Sequence, residues 1–495
     1  MSVEKTSQSH DDIVAIEHTE VKDEGSFAVV EIDPIAEKKL LWKLDIILLP
    51  LFCLIYCTNF IDRTAIGNAR IAGLEKDLGM EGFDLNIALT IFYVCYTLIE
   101  VPSNLALKRV GSIWVAYLVI AFGVVALGSA FMKTYAGLIV TRVFLGFAEG
   151  GTLAALVYTL SRFYRRKEFV IRMGFFFSLA PSLAGAFGGL LASGLLAVDD
   201  FGPIVRWRKI LIVEGIITTG MGIVLLFLMP EDILKTKLLT ESERALAIAR
   251  INADATVRSN GIKEKTTMKL ILRSFNVWTI VCSLGYLFVN ISFQGLSLFL
   301  PTVINSLGHF TVVQAQLRTV PCYIVGAVYA IFNCYWSWYM DSRGIAIIAS
   351  MVLQAAGYAI AIGTTNPHAR YAACFLSVMG GTSSGPLFLT WGTDNAAPDT
   401  MRAVATAAIP GIGSLGAILA VWTYLPTDAP NYHIGNTINL ASAVFVITFT
   451  GIGMIYLKLE NKKRDRGGRD YRLVGKSQDQ IRDLGYRHPD FRYQL

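Results

Sequence analysis

A chain of 495 residues has room for several soluble domains. Its composition excludes them: 54% of residues are hydrophobic and 17% charged, where soluble domains carry about 25% charged residues. The net charge of +6 does not indicate a nucleic-acid partner, because the basic residues gather at the edges of apolar blocks rather than along one polar surface.

Those blocks are long enough to cross a bilayer, which takes roughly 20 residues each. The chain therefore reads as an all-α polytopic membrane protein whose surroundings are lipid. Residues 1–42 are hydrophilic and acidic, lack a signal-peptide pattern and are expected to form a disordered cytoplasmic segment, so the first apolar block serves as an uncleaved anchor. Twelve spans follow, at 43–65, 85–107, 112–131, 135–160, 171–197, 208–229, 277–300, 312–339, 344–363, 370–391, 404–425 and 436–457. A hydrophilic linker, 230–276, separates six spans (43–229) from six (277–457), and a tail follows over 458–495.

An even number of spans puts both termini on one side. The basic loops at 108–109 and 162–172, the linker and the tail then share that side, which the positive-inside rule makes the cytoplasm. Ten or eleven spans would scatter basic loops over both faces. The seven cysteines fall in spans and read as small packing residues; no spacing suggests a metal site.

The halves carry a faint internal repeat. Arg172, Pro181, Gly185 and Gly189 in the fifth span correspond to Arg402, Pro410, Gly413 and Gly416 in the eleventh. Lys108-Arg109-Val110-Gly111 corresponds to Asp341-Ser342-Arg343-Gly344. Six-plus-six repeats are a transporter architecture, with the substrate site between the halves near mid-membrane. Small residues recur every fourth position, Pro181-Gly185-Gly189-Ser193 in one span and Gly413/Ala417 and Gly416/Ala420 in the other. Such stripes let helix backbones approach closely. Passive packing and a sliding surface between moving halves both account for them.

The most informative feature is Arg142 and Glu149, seven residues apart inside the fourth apolar span. Seven residues are about two helical turns, so both project from one face. Ionisable groups at such depth are costly and face a protein interior or an aqueous cavity. An internal ion pair that only joins two helices is the bland alternative. Asp62 and Arg63 near the end of the first span form a second such pair; its bland reading is a charged pair at the membrane surface.

Several motifs in order give these residues a family. Asn59-Phe60-Ile61-Asp62-Arg63-Thr64-Ala65-Ile66-Gly67-Asn68-Ala69-Arg70, Glu100-Val101-Pro102-Ser103-Asn104 with Lys108-Arg109, and Arg142-Val143-Phe144-Leu145-Gly146-Phe147-Ala148-Glu149-Gly150 lead. Arg166-Lys167-Glu168, Trp207-Arg208, Glu214-Gly215, Phe299-Leu300-Pro301, Asn395-Ala396-Ala397-Pro398 and the terminal Pro489-Asp490-Phe491-Arg492-Tyr493 follow. From about residue 40 to the end, the chain resembles the major facilitator superfamily, and within it the fungal anion:cation symporters related to allantoate permease. It departs from that pattern in three places. The proline usual after the fourth-span acidic motif is missing from Gly150-Gly151-Thr152-Leu153-Ala154, which puts a kink there in doubt. A Pro-Pro reads Pro321-Cys322, and a usual asparagine of the eleventh span is Ser414.

The resemblance implies proton and anion handling by Asp62, Arg63, Arg142 and Glu149. The chemistry agrees: a guanidinium is a permanently charged fork that matches a carboxylate, and a carboxyl in a low-dielectric cavity can load and release a proton. Arg63 and Arg142 are expected to clamp an organic anion, and Glu149 with Asp62 to bind the coupled proton. Tyr93 and Tyr96, on one face of the second span, and Gln294 in the seventh are candidate substrate contacts; ordinary packing is the alternative for each. Glu214 is expected to pair structurally near the sixth span, and Asp341, Arg343, Lys108 and Arg109 to act as latch charges.

The function implied is proton-coupled import of a small organic anion across the plasma membrane by a monomer, with no cofactor besides the proton. Family members carry vitamins and nitrogen compounds, and the stretch Asp62 to Leu78 points first to nicotinate or a similar monocarboxylate. Metabolite export and a non-transporting nutrient sensor are alternatives on the same fold; the short tail disfavours the sensor. An enzyme is disfavoured because no HExxH, GxSxG or GxGxxG motif in suitable context occurs.

Overall fold

A computed structural model describes residues 33–199, 204, 206–230, 233, 236, 238–259, 272–308, 310–397, 399–475 and 484–495. The expected disorder of residues 1–32 lies outside the described residues.

Among the described residues the regular structure is helical. The first half contains α1 (Pro34–Ile71), the short α2 (Leu74–Asp77), α3 (Asp84–Val110), α4 (Ile113–Ser129), α5 (Tyr135–Glu149), α6 (Thr152–Ser161), α7 (Arg166–Ala197) and α8 (Arg206–Leu228). The linker contributes α9 (Glu241–Ser259). The second half contains α10 (Val277–Asn305), α11 (Val312–Leu317), α12 (Thr319–Tyr339), α13 (Arg343–Gly363), α14 (Pro367–Asp394), α15 (Asp399–Ala420) and α16 (His433–Asp465). With α5–α6 and α11–α12 each counted as one interrupted crossing, these are the twelve spans.

Nine stretches among the described residues are both long and apolar enough to cross a bilayer, and Ile113–Ser129 and Val404–Ala420 are apolar but shorter. Asp84–Val110 has the length and carries Glu100 within it. Two six-helix bundles result. In the first, α4 packs on α8, α1 on α7 and α8, and α3 on α5; in the second, α13 packs on α14 and α16, and α10 on α14 and α15.

Helix boundaries move where a cap overrules the hydropathy count. The first span, expected over 43–65, begins nine residues earlier because Asp33 caps it: its side chain accepts from the Ile35 amide at 2.9 Å and Pro34 stands in the first turn. It continues to Ile71, which draws Asp62 and Arg63 away from the membrane edge. The last helix runs on to Asp465, so the tail's first residues are helical. The fourth span breaks at Gly150–Gly151 although the usual proline is missing. The break coincides with close packing on α3. A Cβ at Gly150 would stand 2.4 Å from the Tyr96 carbonyl oxygen, and one at Gly151 would stand 1.8 Å from Ser103 Oγ.

The basic loops, linker and tail do share one face. Lys43 at the base of α1 bonds Glu243 of α9 at 2.7 Å. The fully buried Arg250 of α9 clamps Glu37 and Glu168 at 2.7 Å each. On the second bundle the tail is held by Arg464, which donates to the carbonyls of Tyr486, His488 and Phe491. Linker and tail meet where Arg273 donates to the Leu484 carbonyl.

At the opposite face the bundles are tied together. A Cβ at Gly67 would lie 2.3 Å from the Leu298 carbonyl oxygen. Asn86 donates to the Val421 carbonyl at 2.6 Å, Trp422 to Thr90 at 3.0 Å, and Gln316 to the Asn68 carbonyl at 3.4 Å. The α7 stripe also lies between the bundles, with Gly185 against the Tyr323 ring and Gly189 against Thr319. The stripe in α15 does not: Gly413 and Gly416 press on Tyr286 and Leu287 of α10, inside the second bundle. One small-residue stripe is thus an inter-bundle surface and the other an internal packing seam.

Candidate functional site

Asp62 and Arg63 are consecutive on a helix, so about 100° of rotation separates them. Arg63 turns between the bundles. Its Nε donates to Glu149 Oε2 at 2.8 Å, and both side chains are almost wholly buried. Its guanidinium carbon stands 4.5 Å from the Tyr96 ring centre and 5.9 Å from those of Phe60 and Phe92. Aromatic faces of this kind stabilise a cation electrostatically while excluding water.

Glu149 reaches Arg63 because α5 buries one stripe, Leu138, Arg142, Leu145, Gly146 and Glu149, at 3–4-residue spacing. Gly146 permits this: a Cβ there would lie 2.6 Å from the Phe92 carbonyl oxygen. Arg142 and Glu149 do share a face, as their spacing predicts. Among the described residues, however, the ion pair of Glu149 is with Arg63 on another helix and not with Arg142.

A narrow cavity lies between the bundles. Of the residues singled out from sequence, Arg63, Tyr93, Tyr96 and Gln294 line it. Gln294 Nε2 donates to Tyr93 Oη at 2.7 Å, so these two also bridge the bundles. Ser414, one of the departures from the family pattern, lies on the wall with its hydroxyl 3.1 Å from that of Thr97.

Arg142, Asp62 and Glu149 are not on the wall in this conformation. Arg142, expected to clamp the anion beside Arg63, lies behind the wall here, 2% exposed, within electrostatic range of Glu149 and Asp62. Asp62 faces α8. Both its carboxylate oxygens are buried and face the Thr218 hydroxyl, and among the described residues neither oxygen of Glu214 has a hydrogen-bond partner. Glu214 does not make the structural pairing expected of it. Of the residues expected to act as latch charges, Arg343 meets Asp394 at 3.4 Å and Asp341 accepts from Gln494 at 2.5 Å.

Sequence reasoning missed Glu100 and the aromatic floor of Tyr56, Phe177, Tyr286 and Phe293. For Glu100 a signal existed: it is an acidic residue inside a span, four residues after Tyr96. The floor left none, because aromatic residues facing lipid and facing a cavity look alike in sequence. Among the described residues the lining includes one guanidinium, Arg63, and one carboxyl, Glu100. The rest is aromatic, aliphatic or neutral polar. This wall can seat a small planar solute with one negative charge at Arg63.

The profile of the Major Facilitator Superfamily matches residues 52–421, and the chain belongs to that superfamily. Its relatives are fungal transporters. An uncharacterized transporter of Schizosaccharomyces pombe is 34% identical over 96% of this chain and 93% of its own length. The MFS-type transporter efuF of Hormonema carpetanum is 31% identical, covering 94% of each. The high-affinity nicotinic acid transporter of Saccharomyces cerevisiae is 30% identical over 92% of this chain and 85% of its own. Among solved structures, a bacterial homolog of the human lysosomal transporter Spinster has the same fold, with a TM-score of 0.60 at 15% identity over 82% of this chain and 95% of that one. The protein is accordingly a multi-pass membrane transporter of small molecules and not an enzyme.

Proposed function

We infer that this transporter imports a small organic anion together with protons by alternating access, and that nicotinate or a similar aromatic monocarboxylate is the first substrate to test. The single observation that carries this reading is the Arg63–Glu149 ion pair at the edge of an aromatic cavity. Taking the partner from a buried, paired guanidinium costs about 3–5 kcal/mol, so Arg63 favours an anion beside it in each state. Two partners compete for Arg63. Glu149 holds it when ionised; once Glu149 takes up a proton, the guanidinium accepts a substrate carboxylate from the cavity. Substrate and proton then enter together or not at all. Tyr96 and Phe60 supply flat surfaces for an aromatic ring, Tyr93 and Gln294 supply polar contacts across the bundle interface, and Arg142 holds the Glu149 end of the site in charge balance. The identity of the nicotinic acid transporter relative supports the same substrate class. The chain is placed in the plasma membrane as a monomer, with its basic face and both termini in the cytoplasm.

The test is uptake of a panel of radiolabelled carboxylates into transport-deficient yeast expressing the chain, at two external pH values. Uptake that rises at the lower pH is expected. Glu149→Gln is expected to abolish accumulation against a gradient while retaining exchange; accumulation at the normal rate in that variant removes Glu149 from coupling. No uptake of any anion at either pH overturns the assignment.

A further inference from the structure

Five ionisable groups meet inside the first bundle: Asp62 and Arg63 on α1, Arg142 and Glu149 on α5, and Glu214 on α8. All are buried, at 8% exposure or less. Two are cations and three are carboxyls; a further buried carboxyl, Glu100 of α3, stands on the cavity side of Arg63. Arg63 is matched by Glu149 at 2.8 Å. That leaves one guanidinium, Arg142, for two carboxyls, Asp62 and Glu214, which lie within electrostatic range of each other. Two like charges in a buried site with a single counter-charge repel at high cost, which favours a proton held between these carboxyls.

Among the described residues, no further cation is seen beside Glu214. α8 packs on α1, α4 and α7. α4 has no charged residue along its length, and those of α7 stand in its first two turns at the basic face. On α8 itself, Arg206, Arg208 and Lys209 occupy the first turn; Arg208 and Lys209 donate to backbone carbonyls at 2.6–3.0 Å. Thr218, one turn beyond Glu214, also faces Asp62.

A static structural pair would be knit by hydrogen bonds, and the Glu214 end of this one is not. Among the described residues both Glu214 oxygens and Arg142 Nε lack partners, while Asp62 faces the Thr218 hydroxyl and Glu149 faces the Asn59 amide. Buried polar atoms without protein partners are satisfied by internal solvent. Glu214 neighbours Asp62, and Asp62 in turn neighbours Arg142 and Glu149, the partner of Arg63.

We propose that Glu214 and Asp62 share one proton inside the first bundle, and that this pair is the reservoir from which Glu149 is protonated in each transport cycle. The proton leaves a carboxyl oxygen of the pair and arrives on a Glu149 carboxylate oxygen. The acceptor becomes neutral and the pair becomes a dianion stabilised by Arg142 until a proton from solution refills it. This role deepens the coupling mechanism above and rests on it.

The experiment compares the purified full chain, wild type, Glu214→Gln and Glu214→Asp, in proteoliposomes with labelled nicotinate as probe. Two rates are read: uptake driven by a pH gradient, and counterflow at equal pH. The ratio of the first to the second is expected to fall by about tenfold or more in Glu214→Gln and to recover in Glu214→Asp. An unchanged ratio in Glu214→Gln overturns the proposal, since a merely structural, permanently neutral Glu214 is mimicked by glutamine. Infrared spectroscopy on the same samples needs neither substrate nor an active variant. Wild type at neutral pH is expected to show the C=O stretch of a protonated carboxyl that shifts in heavy water and is lost in Glu214→Gln or Asp62→Asn. Absence of that band in wild type overturns the proposal even if every variant is inactive. Wild type that shows the band and counterflow but no pH-driven uptake leaves the shared proton standing, sinks the coupling reading, and with it the reservoir role.

Discussion

Arg63 is where a single side chain has most control over the site. It donates to Glu149 through Nε and rests on the Tyr96 face, two contacts a lysine cannot make together because its ammonium is compact and lacks a planar fork. Arg63→Lys keeps the charge and loses the geometry. A charge-assisted hydrogen bond contributes about 1.5–3 kcal/mol, and about 1.4 kcal/mol is tenfold in affinity. The apparent substrate constant is therefore expected to rise about tenfold to a hundredfold, read from the concentration dependence of initial uptake. An unchanged constant places the anion elsewhere. The acidic and basic members of this site were legible in the sequence because the membrane makes every buried charge conspicuous. Their partners were not. Arg142 and Glu149 share a helix face, yet Glu149 pairs with Arg63, 86 positions away; spacing along one helix says nothing about which second helix presents its side chain.

Helices show where local chemistry was decisive. The Asp33–Pro34 cap sets the start of α1 and the glycine pair at 150–151 sets the break between α5 and α6. The first was present in the residue types. The second depended on how near α3 comes, which the residue types alone left in doubt. The tail illustrates an element held by one charged side chain. Arg464 is almost fully buried, donates to three tail carbonyls, and is itself steadied by Glu460 at 3.2 Å. Glu460 also accepts from Arg469 at 2.7 Å, and the Arg469 and Arg464 guanidiniums hold its carboxyl below the ordinary value of 4.5. A carboxyl whose folded value is depressed contributes fully above the ordinary value and loses its contribution as pH falls through the folded one. Tail docking is thus expected to be constant at neutral pH and to weaken below about pH 4.5. Protease accessibility of residues 484–495 against pH checks this, and Glu460→Gln is expected to loosen the tail at neutral pH and flatten the acid step.

For the molecule as a whole, the question is which end opens. Closure at the face away from the basic loops relies on backbone contact at Gly67, with the Leu298 carbonyl where any side chain would stand. Gly67→Val leaves each bundle's own packing intact and forbids their approach at this point. Overpacking of a tight contact costs about 1–3 kcal/mol, so the equilibrium between closed and open forms at that face is expected to shift about fivefold to a hundredfold toward open. Spin labels or fluorophores across that face, on α1 and α10, would report a longer mean separation. An unchanged distance distribution means that the bundles pivot elsewhere.

The sequence by itself determined the environment, the number of crossings, the face that carries the basic loops and the list of costly charges. Each of these follows from the free energy of placing a residue type in hydrocarbon, which needs no partner to evaluate. Tertiary structure alone decided that Arg63 and not Arg142 lines the cavity, that Asp62 of α1 comes within electrostatic range of Glu214 of α8, and that the α7 small-residue stripe lies between the bundles while Gly413 and Gly416 of α15 press on α10. Those outcomes depend on distances between helices remote in sequence. Such distances are set by the close approach of backbones at particular glycines, and a glycine reads the same in the chain whether another helix presses on it or lipid does.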